Sequence, residues 1–305
     1  LFPILLMQKM SNTKFKEYVE KKVRSTIRKY TLFNQKDKIL VAVSGGKDST
    51  VCLYILKKLG YDIEAITIDA QIGNYTKQNL ENIKTVCKTY EVPLHVISFR
   101  EEFGFSLCYI RSHLKSKGYN YSSCMICGVL KRYLLNKYAK ELKANCLATG
   151  HNLDDEAQTT LMNVFRNDFQ RSERQGAKPG LIKTAHFVQR VKPLYLISEE
   201  EAKKYSQLME FPVNYDICPC SVAAYRRQFI KILNEFEEKH PSVKYNIVKF
   251  NESMQSNLKE KEEQVIETCE SCGEPSNNKL CKACVIINEM KNKEDIKPVS
   301  QPSQI

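Results

Sequence analysis

The chain has no run of apolar residues approaching the roughly 20 that a membrane-spanning helix requires. The opening Leu1-Phe2-Pro3-Ile4-Leu5-Leu6-Met7 is a short apolar stub without a basic start or a small-residue cleavage site, so it does not read as a signal peptide. The chain opens on Leu1 rather than Met, as a fragment or a misplaced start would. Internal repeats are missing apart from paired cysteine knuckles near the C-terminus. Acidic residues are in short supply, 35 against 47 Lys plus Arg, for a formal net charge of +12. That balance points toward a polyanion such as RNA ahead of an acidic membrane surface. What is present is material for folding: 305 residues, 42% of them apolar, allow one sizeable α/β core plus a smaller module.

Periodicity supplies the coarse plan. Tyr18, Val19, Val23 and Ile27 recur at helical spacing and predict a basic helix over 14–30 with a core-packing face. Strands over 39–43, 63–68 and 94–98 alternate with helices over 49–59 and 77–90, as in a parallel βαβ sheet. After Pro193 the pattern is mostly helical: Ser198-Glu199-Glu200-Glu201 reads as a capped start, and 225–238 is basic and amphipathic, with Arg226 and Arg227 as solvated charges or phosphate contacts. The expected organisation is an N-terminal helical segment (1–37), a catalytic α/β domain (38–197), a helical region (198–262), a metal-binding module (263–290) and a disordered tail (291–305) rich in Lys, Pro, Ser and Gln.

Between the first strand and its helix lies Ser44-Gly45-Gly46-Lys47-Asp48-Ser49. Two glycines let the backbone turn tightly, so that successive N–H groups and a helix N-terminus converge on an anion. Lys47 adds a mobile positive charge, and Ser44 and Ser49 add hydroxyls. The loop is not a Walker A loop, which needs four residues between its glycines and Ser or Thr directly after Lys. The order resembles the PP-loop of ATP pyrophosphatases, which split ATP into AMP and pyrophosphate while adenylating a carbonyl oxygen. Lys47 and the N–H groups would then hold the leaving pyrophosphate, and Asp48 would share Mg²⁺ with the phosphates.

Eight of the twelve cysteines cluster in pairs, which argues for metal rather than disulfides. Cys269-x-x-Cys272 and, eight residues on, Cys281-x-x-Cys284 form a four-thiolate pattern that can close tetrahedrally on structural Zn²⁺. A second pair, Cys124 and Cys127, precedes a helical run at 129–135 beginning beside Lys131 and Arg132. About ninety residues later comes Cys218-Pro219-Cys220. Three of these thiolates could hold an iron–sulfur cluster with one iron open, and all four could close a second zinc site or a fully ligated cluster. Spacing leaves that choice open. Cys52, Cys87, Cys108 and Cys146 stand alone and read as small core residues, and His95, His113, His186 and His240 lack sequence partners. Tyr119 and Tyr121 beside Cys124 would stack on a base or pack as a loop on the sheet.

A third constellation, Thr149-Gly150-His151-Asn152-Leu153-Asp154-Asp155-Glu156-Ala157, ends a short strand and opens an acidic helix. Asn152 or Asp154 would cap that helix. At the carboxyl end of a parallel strand these groups face the crevice of the phosphate loop, and Asp155 would hold Mg²⁺ or a phosphate-bound water. Ile68, at the end of the second strand, would edge an adenine pocket.

Taken in order, the PP-loop, Cys-x-x-Cys-Gly ahead of Lys-Arg-Tyr, and Thr-Gly-His-Asn-Leu-Asp-Asp-Glu-Ala resemble the TtcA/TtuA family of tRNA thiolation enzymes, with the TtuA branch the nearer fit. Arg174-Gln175-Gly176, Arg190-Val191-Lys192-Pro193-Leu194, Ile217-Cys218-Pro219 and the terminal cysteines follow in the family's order, so the resemblance spans roughly residues 14–290. It implies a PP-loop α/β fold with a helical C-terminal part and a zinc ribbon. It implies a 4Fe-4S cluster on Cys124, Cys127 and Cys218, and an ATP site lined by Ser44 through Ser49, Lys131, Gly150 and Asp155. The activity implied is adenylation of the C2 oxygen of a tRNA uridine or thymine, followed by attack of sulfide held on the open iron, with Lys131 balancing charge. Sulfide or a ubiquitin-like thiocarboxylate protein would donate the sulfur in the cytoplasm. No membrane partner is implied, and a homodimer is left open.

Two features depart from the family. The TtuA branch usually begins with another zinc module, and no cysteine precedes Cys52 here. Cys220 has no place in the implied ligand set and reads as a bystander or a persulfide carrier. Two rival functions stand beside the cluster enzyme: a cluster-free PP-loop persulfide thiolase using Cys124 and Cys218, and a non-catalytic zinc-bearing tRNA-binding protein.

Overall fold

A computed structural model of the chain describes residues 10–180, 187–222, 224–258, 267–274, 276 and 278–291. The opening stub, His186, the boundary at 262–263 and the polar tail beyond 291 lie outside the described residues.

Helix α1 (Asn12–Lys29) is capped by Ser11, whose side chain accepts the Lys14 N–H, and it buries Phe15, Val19, Val23 and Ile27 at four-residue spacing. Five parallel strands follow: β1 (Lys38–Ala42), β2 (Asp62–Asp69), β3 (Leu94–Ser98), β4 (Cys146–Thr149) and β5 (Gln189–Val191). Their spatial order is β3-β2-β1-β4-β5. The chain winds outward from β1 to β2 and β3, then returns to place β4 on the other side of β1. The carboxyl ends of β1 and β4 therefore flank the switch point where an open α/β sheet offers its crevice.

Both faces of the sheet are covered, as a parallel sheet requires. One apolar layer joins Ile39, Val41 and Val43 to α1, α2 (Lys47–Lys58) and α9 (Glu199–Leu208), the last capped by Ser198 in a capping box with Glu201. The other joins Leu40, Ile66, Ile68 and Leu147 to α5 (Leu107–Ser116), α6 (Ser123–Glu141) and α12 (Lys282–Lys291). Between these lie α3 (Gly73–Thr89), short α4 (Phe99–Phe103), α7 (Leu153–Phe165) and short α8 (Phe169–Glu173). Two later helices, α10 (Arg226–Lys239) and α11 (Val243–Leu258), pack on α7. Among the described residues no helix is long and apolar enough to cross a membrane.

Two glycines are required by contact rather than by turn preference alone. Gly45 has φ +83°, and a Cβ there would lie 2.6 Å from the Asn79 Cβ on α3. A Cβ at Gly150 would fall 2.7 Å from the Ser49 nitrogen and 2.8 Å from the Asp48 carbonyl carbon. The missing side chains let the loops after β1 and β4 touch backbone to backbone.

Candidate active site

The loop after β1 feeds directly into α2. Gly46 occupies the N-cap without a side-chain cap bond, so the N–H groups of the first turn remain available to an anion. Hydroxyls shape the loop from within. Ser49 Oγ accepts the Ser44 N–H at 3.1 Å and donates to the Gly46 carbonyl at 3.1 Å, a carbonyl that Thr50 Oγ1 also reaches.

Charge surrounds this loop. Lys47 Nζ donates to Asp48 Oδ2 at 3.0 Å and to Glu199 Oε1 at 2.9 Å. Burial works against the Lys47 charge, but Asp48 and Glu199 outweigh it and hold the ammonium above its ordinary pKa. Burial pushes the Asp48 carboxyl above the usual carboxylate range, against the pull of Lys47, and the nearby Asp155 charge adds to the rise. Asn152 Nδ2 bonds Asp48 Oδ1 at 3.1 Å, while Asn152 and Asp155 form the capping box of α7. The cap is therefore Asn152. Asp154 instead pairs with buried Lys244 and accepts the Glu199 N–H at 2.8 Å. Arg226 bonds Gln158 Oε1 at 3.1 Å and Thr159 Oγ1 at 3.0 Å and reaches the Asp155 carbonyl at 3.3 Å, so it is engaged with α7 while part of its side chain stays open to water.

The first cysteine pair lies inside α6, whose N-cap is Ser122, accepting the Met125 N–H at 3.2 Å. Cys124 is exposed and Cys127 half-buried. Cys218 opens a 3-10 turn (Pro219–Ser221) that packs against α6, and Cys124 Sγ lies 3.3 Å from the Cys220 carbonyl oxygen. Cys127 feels Lys131 one turn on and also Cys218 and Cys124. The structure thus gathers the three expected thiols, with Lys131 beside them. Cys220 is here too, as is Cys108. Cys108 is exposed, not core, because Leu107, Ile110 and Leu114 define the buried stripe of α5 and Cys108 falls outside it. Cys52, Cys87 and Cys146 are buried as expected. Ile68 is buried in the α6-side layer at the end of β2, and Tyr119 and Tyr121 pack on that layer.

A hydrogen bond joins the two regions. The Asn214 N–H reaches the Gly45 carbonyl at 3.3 Å, so residues 214–220 run from the phosphate loop to Cys124. Six residue steps span at most about 20 Å.

The C-terminal cysteines make a different arrangement. Cys269, Cys272, Cys281 and Cys284 bring all four sulfurs within 4.8 Å of one another. Tetrahedral Zn–S bonds of about 2.3 Å require sulfurs about 3.8 Å apart, so the set fits a single ion. Among the described residues no other group of three or more potential ligands is this compact. Cys124, Cys127 and Cys218 are less closely gathered, with Lys131 one turn beyond Cys127.

Sequence reasoning missed Glu199 as the partner of Lys47; its neighbours read only as an acidic first turn. It also left His95 unpartnered, whereas His95 Nε2 meets Glu64 Oε2 across β2 and β3 at 2.7 Å. His113 Nε2 lies 3.4 Å from the Glu289 carbonyl on α12.

A parallel sheet with an uncapped glycine loop at its switch point defines an α/β nucleotide-binding protein. The chain matches the PP-loop domain family ATP_bind_3 over residues 8–236, and it belongs to that family, within the TtcA/TtuA group of tRNA thiolation enzymes. It is 37% identical over 274 residues to the tRNA-5-methyluridine(54) 2-sulfurtransferase of Pyrococcus horikoshii, covering 88% of this chain and 84% of that protein. It is 35% identical to the protein of the same name from Thermotoga maritima, covering 95% of this chain and 93% of that one. Among solved structures, the U34-tRNA thiolase NcsA from Methanococcus maripaludis with its [4Fe-4S] cluster superposes with a TM-score of 0.76 at 30% identity, covering 90% of this chain and 88% of that chain.

Proposed function

We infer that the protein is an ATP-dependent tRNA sulfurtransferase that adenylates the C2 oxygen of a uridine or thymine and replaces it with sulfur. The observation that carries this reading is the short segment 214–220, which ties the phosphate loop to the thiol trio and so sets an activating site beside a sulfur site. The names of the similar proteins, all tRNA thiolation enzymes, support it.

In the first step the C2 oxygen attacks the α-phosphorus of ATP, the bond to the bridging oxygen breaks, and pyrophosphate leaves. In the second a sulfur nucleophile adds at C2, and AMP departs with the former C2 oxygen. The replacement exchanges oxide departure for departure of a phosphate ester. Lys47 and the first-turn N–H groups of α2 receive the charge that develops on pyrophosphate. To do so Lys47 must turn from Glu199. Asp48, whose carboxyl is pushed up by burial and by the nearby Asp155 charge, would share Mg²⁺ with Asp155 and the phosphates. Lys131 balances negative charge near the reacting base, and Gly150 keeps the loop after β4 against the phosphate loop. Cys124, Cys127 and Cys218 would hold a 4Fe-4S cluster, whose open iron offers a place for incoming sulfur. Cys269, Cys272, Cys281 and Cys284 would hold structural Zn²⁺. The work is cytoplasmic, with sulfide or a thiocarboxylate-bearing carrier protein as donor.

The test is anaerobic reconstitution of wild type and Cys218→Ala, each assayed for iron, sulfide and ATP-dependent thionucleoside in tRNA. About four irons per chain in wild type, with the variant failing in both iron and product, upholds the reading. Thiolation without iron replaces it with the persulfide route. Absence of both AMP and product with any tRNA leaves only an RNA-binding protein.

A further inference from the structure

We propose that the exposed face of α1 is a docking surface for the phosphate backbone of the RNA substrate, with Lys14, Lys21, Arg24 and Arg28 as its cationic contacts. The proposal rests on the tRNA reading above and adds to it the surface that carries the strand.

Helical geometry assembles this face from the sequence. At 3.6 residues per turn, Lys14, Lys21, Arg24 and Arg28 fall on one stripe, about 21 Å from end to end. The stripe lies opposite the face that buries Phe15, Val19, Val23 and Ile27. All four cations are exposed, and among the described residues none of them forms an ion pair. The two acids of the helix do little to offset them. Glu20 is taken by Lys58 Nζ at 2.8 Å and by the Tyr205 hydroxyl at 2.7 Å, which leaves Glu17 as the one acid on the stripe. A groove of about 830 Å³ follows the helix from Glu17 to Lys29, lined by Lys21, Arg24, Ser25 and Arg28. A cleft bordered by one sign of charge focuses the field and gathers the opposite charge.

The chemistry of the face selects its occupant. Among the described residues none that lines the groove is apolar. A helix that lies on a membrane brings an apolar face to the lipid beside its basic one, whereas the apolar face of α1 is spent on the core. Cations in a row with no apolar anchor suit a regular polyanion, and phosphate contacts of this kind position a strand without reading its sequence. The face also adjoins the crevice. Lys22 Nζ donates to Glu201 Oε1 at 2.7 Å in the first turn of α9, and Glu199 in the same turn accepts from Lys47 Nζ at 2.9 Å. RNA held on α1 lies beside the wall of the phosphate loop, where the base to be activated must arrive.

The test measures the affinity of the anaerobically reconstituted protein for a tRNA transcript across a salt series. A triple variant, Lys21→Gln with Arg24→Gln and Arg28→Gln, is compared with wild type. A control loses the same charge elsewhere through Lys88→Gln, Lys115→Gln and Lys143→Gln, exposed lysines on α3, on α5 and just after α6. Iron content and ATP affinity are expected to stay at wild-type values in both. The α1 variant should bind tRNA more weakly, with a slope of log K against log salt smaller by about 2–3, or about 0.7–0.9 for each phosphate no longer neutralised. The control should keep the wild-type slope. KM for tRNA rises in the α1 variant while kcat holds, because the surface grips the strand outside the crevice. Glu17→Arg guards against misfolding: it adds charge to the face, so it should tighten tRNA binding and steepen the slope by about 0.7–0.9, a gain that a damaged fold cannot produce. The proposal is overturned if the α1 variant keeps wild-type affinity and slope. It is overturned equally if the control loses as much, since binding would then follow net charge rather than this face. Loss of binding to phosphatidylserine vesicles with tRNA binding intact also overturns it. Wild type that fails to bind tRNA at all overturns the tRNA reading itself, and the docking surface with it.

Discussion

Two groups of cysteines occupy neighbouring walls of one apolar layer, and they are built in opposite ways. The C-terminal four come from a span of sixteen residues and hold their sulfurs within 4.8 Å, with Cys269 and Cys284 buried. The trio comes from α6 and from a turn about ninety residues on, has Cys124 exposed, and is tied to the phosphate loop. A compact four-ligand set saturates an ion and leaves no position for chemistry. A three-ligand set at a crevice leaves one. Under the proposed function, the contrast separates a group that would hold the fold from a group that would work.

Substitutions should split the two sets. The largest effect expected is from Cys218→Ala: thiolation falls to background while the midpoint of thermal unfolding, followed by circular dichroism, shifts little. Next comes Cys272→Ser, or removal of metal with a chelator. Either should release the segment around 267–291 and take Ile286 and Met290 out of the core that they share with α6. A stability loss of about 2–5 kcal/mol follows from exposing one or two large apolar side chains, and hydrogen exchange should localise it to α12. A Cys272→Ser protein with wild-type protection in α12 would erase the distinction. Lys47→Ala carries the comparison to the phosphate loop: kcat/KM for ATP should drop about 100-fold, as for loss of one donor to a developing anion, with iron content unchanged. The smallest effect is expected from Glu199→Gln. Its ion pair with Lys47 is half open to water and is worth about 0.5–1 kcal/mol, so freeing Lys47 should tighten ATP binding by roughly two- to fivefold in a calorimetric titration.

Much of this is legible in the sequence because local pattern and tertiary role agree. The α1 stripe, strands β1 to β4, the glycine loop and the two Cys-x-x-Cys pairs announce themselves by period or spacing. The sequence pattern starts helix α3 at Lys77, whereas the helix begins at Gly73; Ile72 at its N-cap offers no side-chain cap, and Thr76 Oγ1 instead accepts the Ile72 N–H at 3.0 Å. Strand β5 is three residues long and exists only by pairing with β4, which a short run cannot signal. Glu199 meets Lys47 across 152 residues, so its partner is invisible to any local rule. The exposure of Cys108 is readable after all: its neighbours at 107, 110 and 114 mark a helical face that excludes it.

Gly150 sets a tolerance for the whole crevice. With its α-carbon against the Asp48–Ser49 backbone, the gap between the two loops is fixed at direct contact, the smallest value that matter allows. Even a methyl group would act as a shim, wedging the Asp155 side away from Lys47 and Asp48. The site is thus calibrated by an empty position, a setting that no rotamer can adjust.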